Sequence, residues 1–258
     1  MEFRLREENG FKYLERGEGR VFLLLHGLFG ALSNFEHVIE QFSGDFRVII
    51  PIMPVHELTL LKSNVKNLTK FIQKFVAFKE LDDMILLGNS LGGHVALLYT
   101  LANPEKVHSL ILTGSSGLYE NSFGGSFPRR ENYEYIKERV EFTFHDPKTA
   151  NKELIDEVYQ LINDRNKLIR ILHMAKSAIR HSLRDHLPDI KIPVSLIWGR
   201  EDRVTPPEVA EEFHSLLPNS QLNWIDNCGH APMMEQPAEF NDLLEKFIRG
   251  IKMDINVS

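Results

Sequence analysis

The sequence predicts an α/β fold: a mostly parallel sheet flanked by helices and interrupted once by a helical insertion. Three observations predict it. Short apolar runs at Val21–Leu25, Phe46–Ile52, Met84–Leu87 and Val107–Leu112 are continuous rather than alternating, as in strands buried on both faces of a parallel sheet. Helical patterns separate them. The alternation stops after Gly117 and resumes at Val194.

Taken in order, Phe3–Glu7 and Phe11–Leu14 alternate like two paired strands joined at Asn9-Gly10, a dipeptide suited to a tight hairpin. Helical patterns cover Asn34–Phe42, Leu58–Phe78 and Leu91–Ala102. Residues 118–187 are charged, mostly helical in pattern and free of buried-strand runs. A strand over Val194–Trp198, a helix over Pro207–Leu217, a strand over Gln221–Ile225 and a helix over Ala238–Ile248 complete the chain. The expected division is a core of 1–117 and 188–258 with an insertion at 118–187. That insertion is expected over the carboxyl ends of the strands, where open α/β sheets bind ligands.

Composition narrows the function classes. The 258 residues are 43% hydrophobic and 26% charged, ordinary values for a globular chain. A net charge of −6 argues against nucleic acid as partner, since phosphate binding needs a basic surface. The sole cysteine, Cys228, excludes an intramolecular disulfide and points to a reducing, cytoplasmic setting. Met1–Glu8 mixes acids and bases with no apolar stretch, unlike a signal peptide, and no run reaches membrane-spanning length.

The most informative segment is Met84–His94, which contains G-x-S-x-G at Gly88, Ser90 and Gly92. The pattern alone is short. Its setting, after a β-type run and before a helical one, is the strand–turn–helix that a nucleophilic serine requires. Ser90 would stand at a helix N-terminus, where amides and the helix dipole favour negative charge. The plain alternative is a glycine-rich turn whose serine caps the helix. His26-Gly27-Leu28-Phe29-Gly30 ends the first buried strand and suits a loop aiming backbone N–H groups at the same site. The amides of Leu28 and Leu91 are the candidate oxyanion hole.

Two further strands end in polar groups. Val194–Gly199 runs into Arg200-Glu201-Asp202, and Gln221–Ile225 into Asp226-Asn227-Cys228-Gly229-His230. Parallel strands place these ends beside Ser90, and serine, acid, histidine is the chain order of one class of serine hydrolase. Asp202 would accept the Nδ1 proton of His230 and fix its tautomer. Glu201 rivals Asp202. His26 is expected to orient its loop, and His94 to pack or cap. His181, Asp185 and His186 could suggest a metal but read as surface. Cys228 lacks the strand-elbow setting of a nucleophile.

These residues resemble the α/β-hydrolase superfamily at four places: Leu25–Gly30, Gly88–Gly93, Trp198–Val204 and Cys228–Pro232. The resemblance implies an α/β-hydrolase fold with an eight-stranded sheet and a helical cap at 118–187. It also implies a serine hydrolase with catalytic Ser90, Asp202 and His230 and no metal or organic cofactor. The partner would be a small-molecule ester or related acyl compound. The loop at His26–Gly30 is similar to that of small carboxylesterases. Asn89 and the cap resemble the meta-cleavage C–C hydrolases, which use the same triad. Against that second family, its Gly-Pro-Gly loop is absent, Ala231 stands where a tryptophan follows the histidine, and Glu157 falls where a carboxylate-binding arginine is expected, with Arg165 and Arg170 nearby. Pro51–Pro54 lacks the usual Asp and Gly-rich turn. Phe123, Phe127, Tyr133, Phe142 and Phe144 are candidates to line the pocket or to pack the cap, and Gly124-Gly125 is a candidate hinge.

Overall fold

The structure is a computed structural model that describes residues 5–30, 32–121 and 129–255. Phe123, Phe127 and the Gly124-Gly125 pair lie outside the described residues, as do Phe3 and Arg4 of the first expected strand. In chain order the elements are β1 (Arg6–Glu8), β2 (Phe11–Arg16), β3 (Arg20–Leu25), α1 (Glu36–Phe42), β4 (Phe46–Pro51), α2 (Val65–Phe78), β5 (Met84–Asn89), α3 (Leu91–Ala102) and β6 (Val107–Thr113). Three helices follow, α4 (Tyr133–Glu141), α5 (Lys152–Asn163) and α6 (Arg165–Arg180). Then come β7 (Val194–Gly199), α7 (Pro207–Leu216), β8 (Ser220–Ile225), the short α8 (Pro232–Glu235) and α9 (Pro237–Ile255).

The eight strands form one sheet in the order β1-β2-β4-β3-β5-β6-β7-β8. β1 pairs with β2, and β2 with β4, antiparallel, while β3 through β8 run parallel. Asn9 and Gly10 carry the two positive φ values, 52° and 78°, that a right-twisted hairpin demands of a two-residue turn. The strand order reverses across β4-β3-β5, so the carboxyl ends of β3 and β5 flank a crevice, the usual ligand position in such sheets.

The sheet is buried on both faces, which explains the unbroken apolar runs. Alternate side chains of one strand serve opposite cores. Leu23 and Leu25 pack toward α2, α3 and α7, whereas Phe22 and Leu24 pack toward α1 and α9. Every residue of β5 and of β7 is buried.

Boundaries differ from the sequence expectation where capping and packing intervene. Leu60–Lys62 forms a 3-10 turn, and α2 starts only at Val65, where the Asn64 side chain accepts the N–H of Asn67 at 3.0 Å. α9 continues past Gly250 because Ile251 still packs on the core. Between β6 and β7 the described residues contain helices and no strand. Ile136, Val158, Ile162 and Leu168 of those helices form a small apolar cluster against which Phe29 packs. No helix among the described residues is long and apolar enough to cross a membrane.

Candidate active site

Ser90 occupies the turn between β5 and α3 with φ 54° and ψ −122°, a conformation that L-residues adopt only at a cost of about 1–3 kcal/mol. Close packing forces the turn. A Cβ on Gly92 would lie 2.1 Å from the Leu25 carbonyl oxygen, and one on Gly88 would lie 2.5 Å from that of Gly92. Only glycine permits β3, β5 and α3 to meet this tightly. The Ser90 N–H donates to the Thr113 carbonyl at 3.1 Å, and the Ser90 carbonyl accepts from Gly93, His94 and Ser116.

The loop after β3 is anchored by His26, which is buried. Its Nε2 accepts the Met53 N–H at 2.9 Å, so the proton sits on Nδ1, which donates to the Gly27 carbonyl at 2.8 Å. Burial holds this imidazole below its usual pKa. His26 therefore ties the Gly27–Gly30 turn to the segment after β4. A loop lacking the usual Asp and Gly turn is held this way at Met53. Gly27 lies against Ser90, since a Cβ there would be 3.2 Å from the Ser90 Cβ. Leu28 and Leu91 line the same pocket as Ser90. Leu91 is the first residue of α3, so its N–H has no acceptor within the helix.

Asp202 and His230 come together. Asp202 is buried, and its Oδ2 accepts from His230 Nδ1 at 2.9 Å and from Thr205 Oγ1 at 2.8 Å. Its Oδ1 accepts the N–H groups of Val204 and Thr205. Trp198, buried at the end of β7, donates Nε1–H to the Thr205 carbonyl and so braces the acid loop. Glu201 does something else: its carboxylate accepts the Cys228 N–H at 2.9 Å, steadying the histidine loop. The Cys228 thiol is buried, and burial pushes its pKa up, against nucleophilic use.

Further residues tie these loops together, and of them only Asn89 was marked in the sequence, by its family resemblance. Asn89 Nδ2 donates to the carbonyls of Thr113 and His230, linking the serine strand to the histidine loop. Glu235 accepts the N–H groups of His145, Gly229 and Ala231, and the His230 N–H donates to the Thr143 carbonyl. Glu120 lines the pocket and accepts a 2.6 Å hydrogen bond from Ser116 Oγ. Burial holds its carboxyl above the usual range, against the opposing pull of Ser116 and His230. Burial also opposes protonation of His230. The charge and hydrogen bond of Asp202, helped by Glu120 and Glu235, outweigh that and raise its pKa.

Ser90, His230, Leu28 and Leu91 border one cavity of about 420 Å³ at the carboxyl ends of β3 and β5. Its far wall comes from α4, α5 and α6, through Ile136, Leu154, Val158, Ile162, Leu168 and Ile171. Of the expected aromatics, Phe144 lines it. Phe142 is exposed with the Arg203 guanidinium over its ring, and Tyr133 donates to Asp156 instead. Glu157, Arg165 and Arg170 are not in the lining, but Arg139 and Lys176 are. A larger cavity of about 840 Å³ lies beside β8 and α9 and includes none of these residues.

His94 is fully buried with Nε2 3.3 Å from His181 Nδ1, and burial depresses its pKa to about 3. It packs rather than catalyses. No group of three His, Cys, Asp or Glu among the described residues is arranged to hold a metal ion.

A family profile described as the alpha/beta hydrolase family matches residues 22–243. The solved structure of MGS-MChE2, an alpha/beta hydrolase enzyme from a lagoon-sediment metagenome of Mar Chica, Morocco, is 46% identical with a TM-score of 0.79, covering 96% of this chain and 98% of that one. The mouse monoacylglycerol lipase ABHD6 is 25% identical over 89% of this chain and 75% of its own. A 2-hydroxy-6-oxononadienedioate/2-hydroxy-6-oxononatrienedioate hydrolase from Pseudomonas putida is 26% identical over 92% of this chain and 91% of its own.

Proposed function

The chain belongs to the alpha/beta hydrolase family, and from that premise we propose that it is a serine esterase cleaving carboxylic esters of small or medium acyl chains. One observation carries the proposal. His230, held by Asp202 at 2.9 Å, borders the pocket that also holds Ser90 on its strained turn. Asp202 occupies Nδ1, which leaves Nε2 as the basic nitrogen. Ser90 Oγ attacks the ester carbonyl carbon while His230 Nε2 takes its proton. The carbonyl oxygen, now negative, accepts from the N–H groups of Leu28 and Leu91. His230 then gives the proton to the departing alkoxide, leaving an acyl group on Ser90. Water, deprotonated by His230, hydrolyses that acyl-enzyme and restores the serine.

Residues 118–187 act in this scheme as a cap whose helices α4–α6 form the acyl pocket. The apolar wall favours a hydrocarbon chain, in line with the lipase activity in the name of the mouse relative. A second reading, C–C hydrolysis by the same triad, is favoured by Arg139 in the pocket wall, which could pair with a substrate carboxylate, and by the Pseudomonas relative. Turnover of p-nitrophenyl acetate, butyrate and octanoate, run beside a dienoate C–C substrate, separates the two. The esterase requires an ester with the highest kcat/KM. A dienoate that outperforms every ester transfers the assignment to the second reading.

A further inference from the structure

The charge of this acidic chain is unevenly distributed. From residue 58 to 78 there is no acid, and Lys62, Lys66, Lys70 and Lys74 recur at every fourth position. Along α2 that spacing lays Lys66, Lys70 and Lys74 on one stripe, and all three are exposed. The sixteen residues of α6 hold five bases, Arg165, Lys167, Arg170, Lys176 and Arg180, again with no acid. The two stretches adjoin. The Val65 N–H donates to Ser177 Oγ at 3.2 Å, and Lys66 is close enough to His181 to help depress its pKa, after burial. Lys62, Lys66, Lys70, Lys74, Lys176 and Arg180 make no ion pair with any carboxylate among the described residues. In sequence the first stretch is bounded by Glu57 and Glu80 and the second by Asp164 and Asp185, Asp164 being engaged in capping α6.

Apolar side chains stand within this basic field. Leu61 is 95% exposed, Leu60 42% and Ile179 43%. A single exposed leucine is unremarkable. Here the 3-10 turn carrying two of them rests against α6, which carries the third. Ile179 and Lys176 also line the pocket of Ser90 while reaching solvent. The apolar lip therefore sits where the acyl pocket opens, with lysines and arginine around it.

We propose that this lip and its basic collar dock the protein on an anionic lipid surface, from which acyl chains enter the pocket past Ile179. The step from docking to acyl entry rests on the esterase assignment; the docking does not. Charge complementarity selects the occupant. Clustered Lys and Arg beside exposed leucines fit negatively charged headgroups over a hydrocarbon layer. A polyanion such as nucleic acid would use the lysines and ignore the leucines.

The test uses full-length Ser90→Ala, which cannot turn over lipid, with sedimenting vesicles of phosphatidylcholine alone or with about one-third phosphatidylglycerol. Binding is expected to the anionic vesicles only and to weaken at high salt. Leu60→Ser/Leu61→Ser and, separately, Lys66→Glu/Lys70→Glu should each reduce it by about tenfold or more. In the Ser90 background both should hydrolyse a soluble short-chain ester like the parent, which shows that they fold. Absence of vesicle binding, equal binding to neutral vesicles, or variants that bind like the parent overturns the proposal. So does binding of duplex DNA that the leucine variant leaves intact. Vesicle binding by Ser90→Ala, alongside a wild type that hydrolyses no ester, upholds the docking surface and removes the esterase assignment.

Discussion

At the scale of the residue, the account turns on how charges are arranged around His230. Asp202 accepts four hydrogen bonds and keeps the Nδ1 proton in place. Asp202→Asn should preserve the fold and cost about 10⁴-fold in kcat, because the amide favours the wrong tautomer. Glu201→Gln, which still offers an acceptor to Cys228, should lose less than about tenfold. Steady-state kinetics of the two variants decide between them, and an exchange of their effects would make Glu201 the acid. The pH profile tests the same arrangement. Burial lowers the pKa of His230, but Asp202, Glu120 and Glu235 together raise it. With neutral imidazole as the proposed base, kcat/KM should rise with pH through an apparent pKa above ~6.5. Glu120→Gln removes a neighbouring negative charge, which makes the imidazolium less stable and moves that limb to lower pH. A limb that stays put or moves upward removes Glu120 from the electrostatics of the site. The meeting of Asp202 with His230, and of His230 with Ser90 at one pocket, was legible in the sequence because each residue lies in the turn or loop that follows a parallel strand. Glu120, Trp198 and Glu235 were not, because their partners are backbone atoms and loops that only the folded chain brings near.

At the scale of the element, the helix after Ser90 was readable to the residue at Leu91–Ala102, whereas the strand before it runs two residues past the expected Leu87, to Asn89. The helices α4–α6 were legible as helices but not as a pocket wall. Conspicuous aromatics are the candidates the sequence offers for the lining, yet two of these, Tyr133 and Phe142, face away. The lining is instead drawn from the apolar stripes of α5 and α6, at Leu154, Val158 and Ile162 and at Leu168, Ile171 and Leu172. That period was the available signal; which stripe meets the substrate depends on how the helices dock. If these stripes set acyl length, Val158→Ala, Leu168→Ala and Ile171→Ala should shift the octanoyl-to-acetyl ratio of kcat/KM by about 10–200-fold. Tyr133→Ala and Phe142→Ala should leave it unchanged. Folded variants of the first set that keep the wild-type ratio would reduce these helices to packing.

At the scale of the whole molecule, the α/β class and the sheet followed from continuous apolar runs, because a two-sided core leaves that trace in any sequence. Strand order did not follow from the runs themselves. The placement of β3 between β4 and β5, which opens the crevice, depends on crossover connections. The distribution of charge was hidden by its total: a net −6 conceals a basic face on α2 and α6. Strand ends distant in the chain bring Ser90 and His230 to one pocket and Asp202 against His230 behind it, and the central proposal is that Ser90 is the activated nucleophile. The most direct measurement is the intact mass of the protein after reaction with a fluorophosphonate, which labels a serine only where a base activates it. One adduct per wild-type chain, located at Ser90 and absent from Ser90→Ala, is the predicted result. An adduct that persists in Ser90→Ala, or a wild type that takes none, would contradict the account.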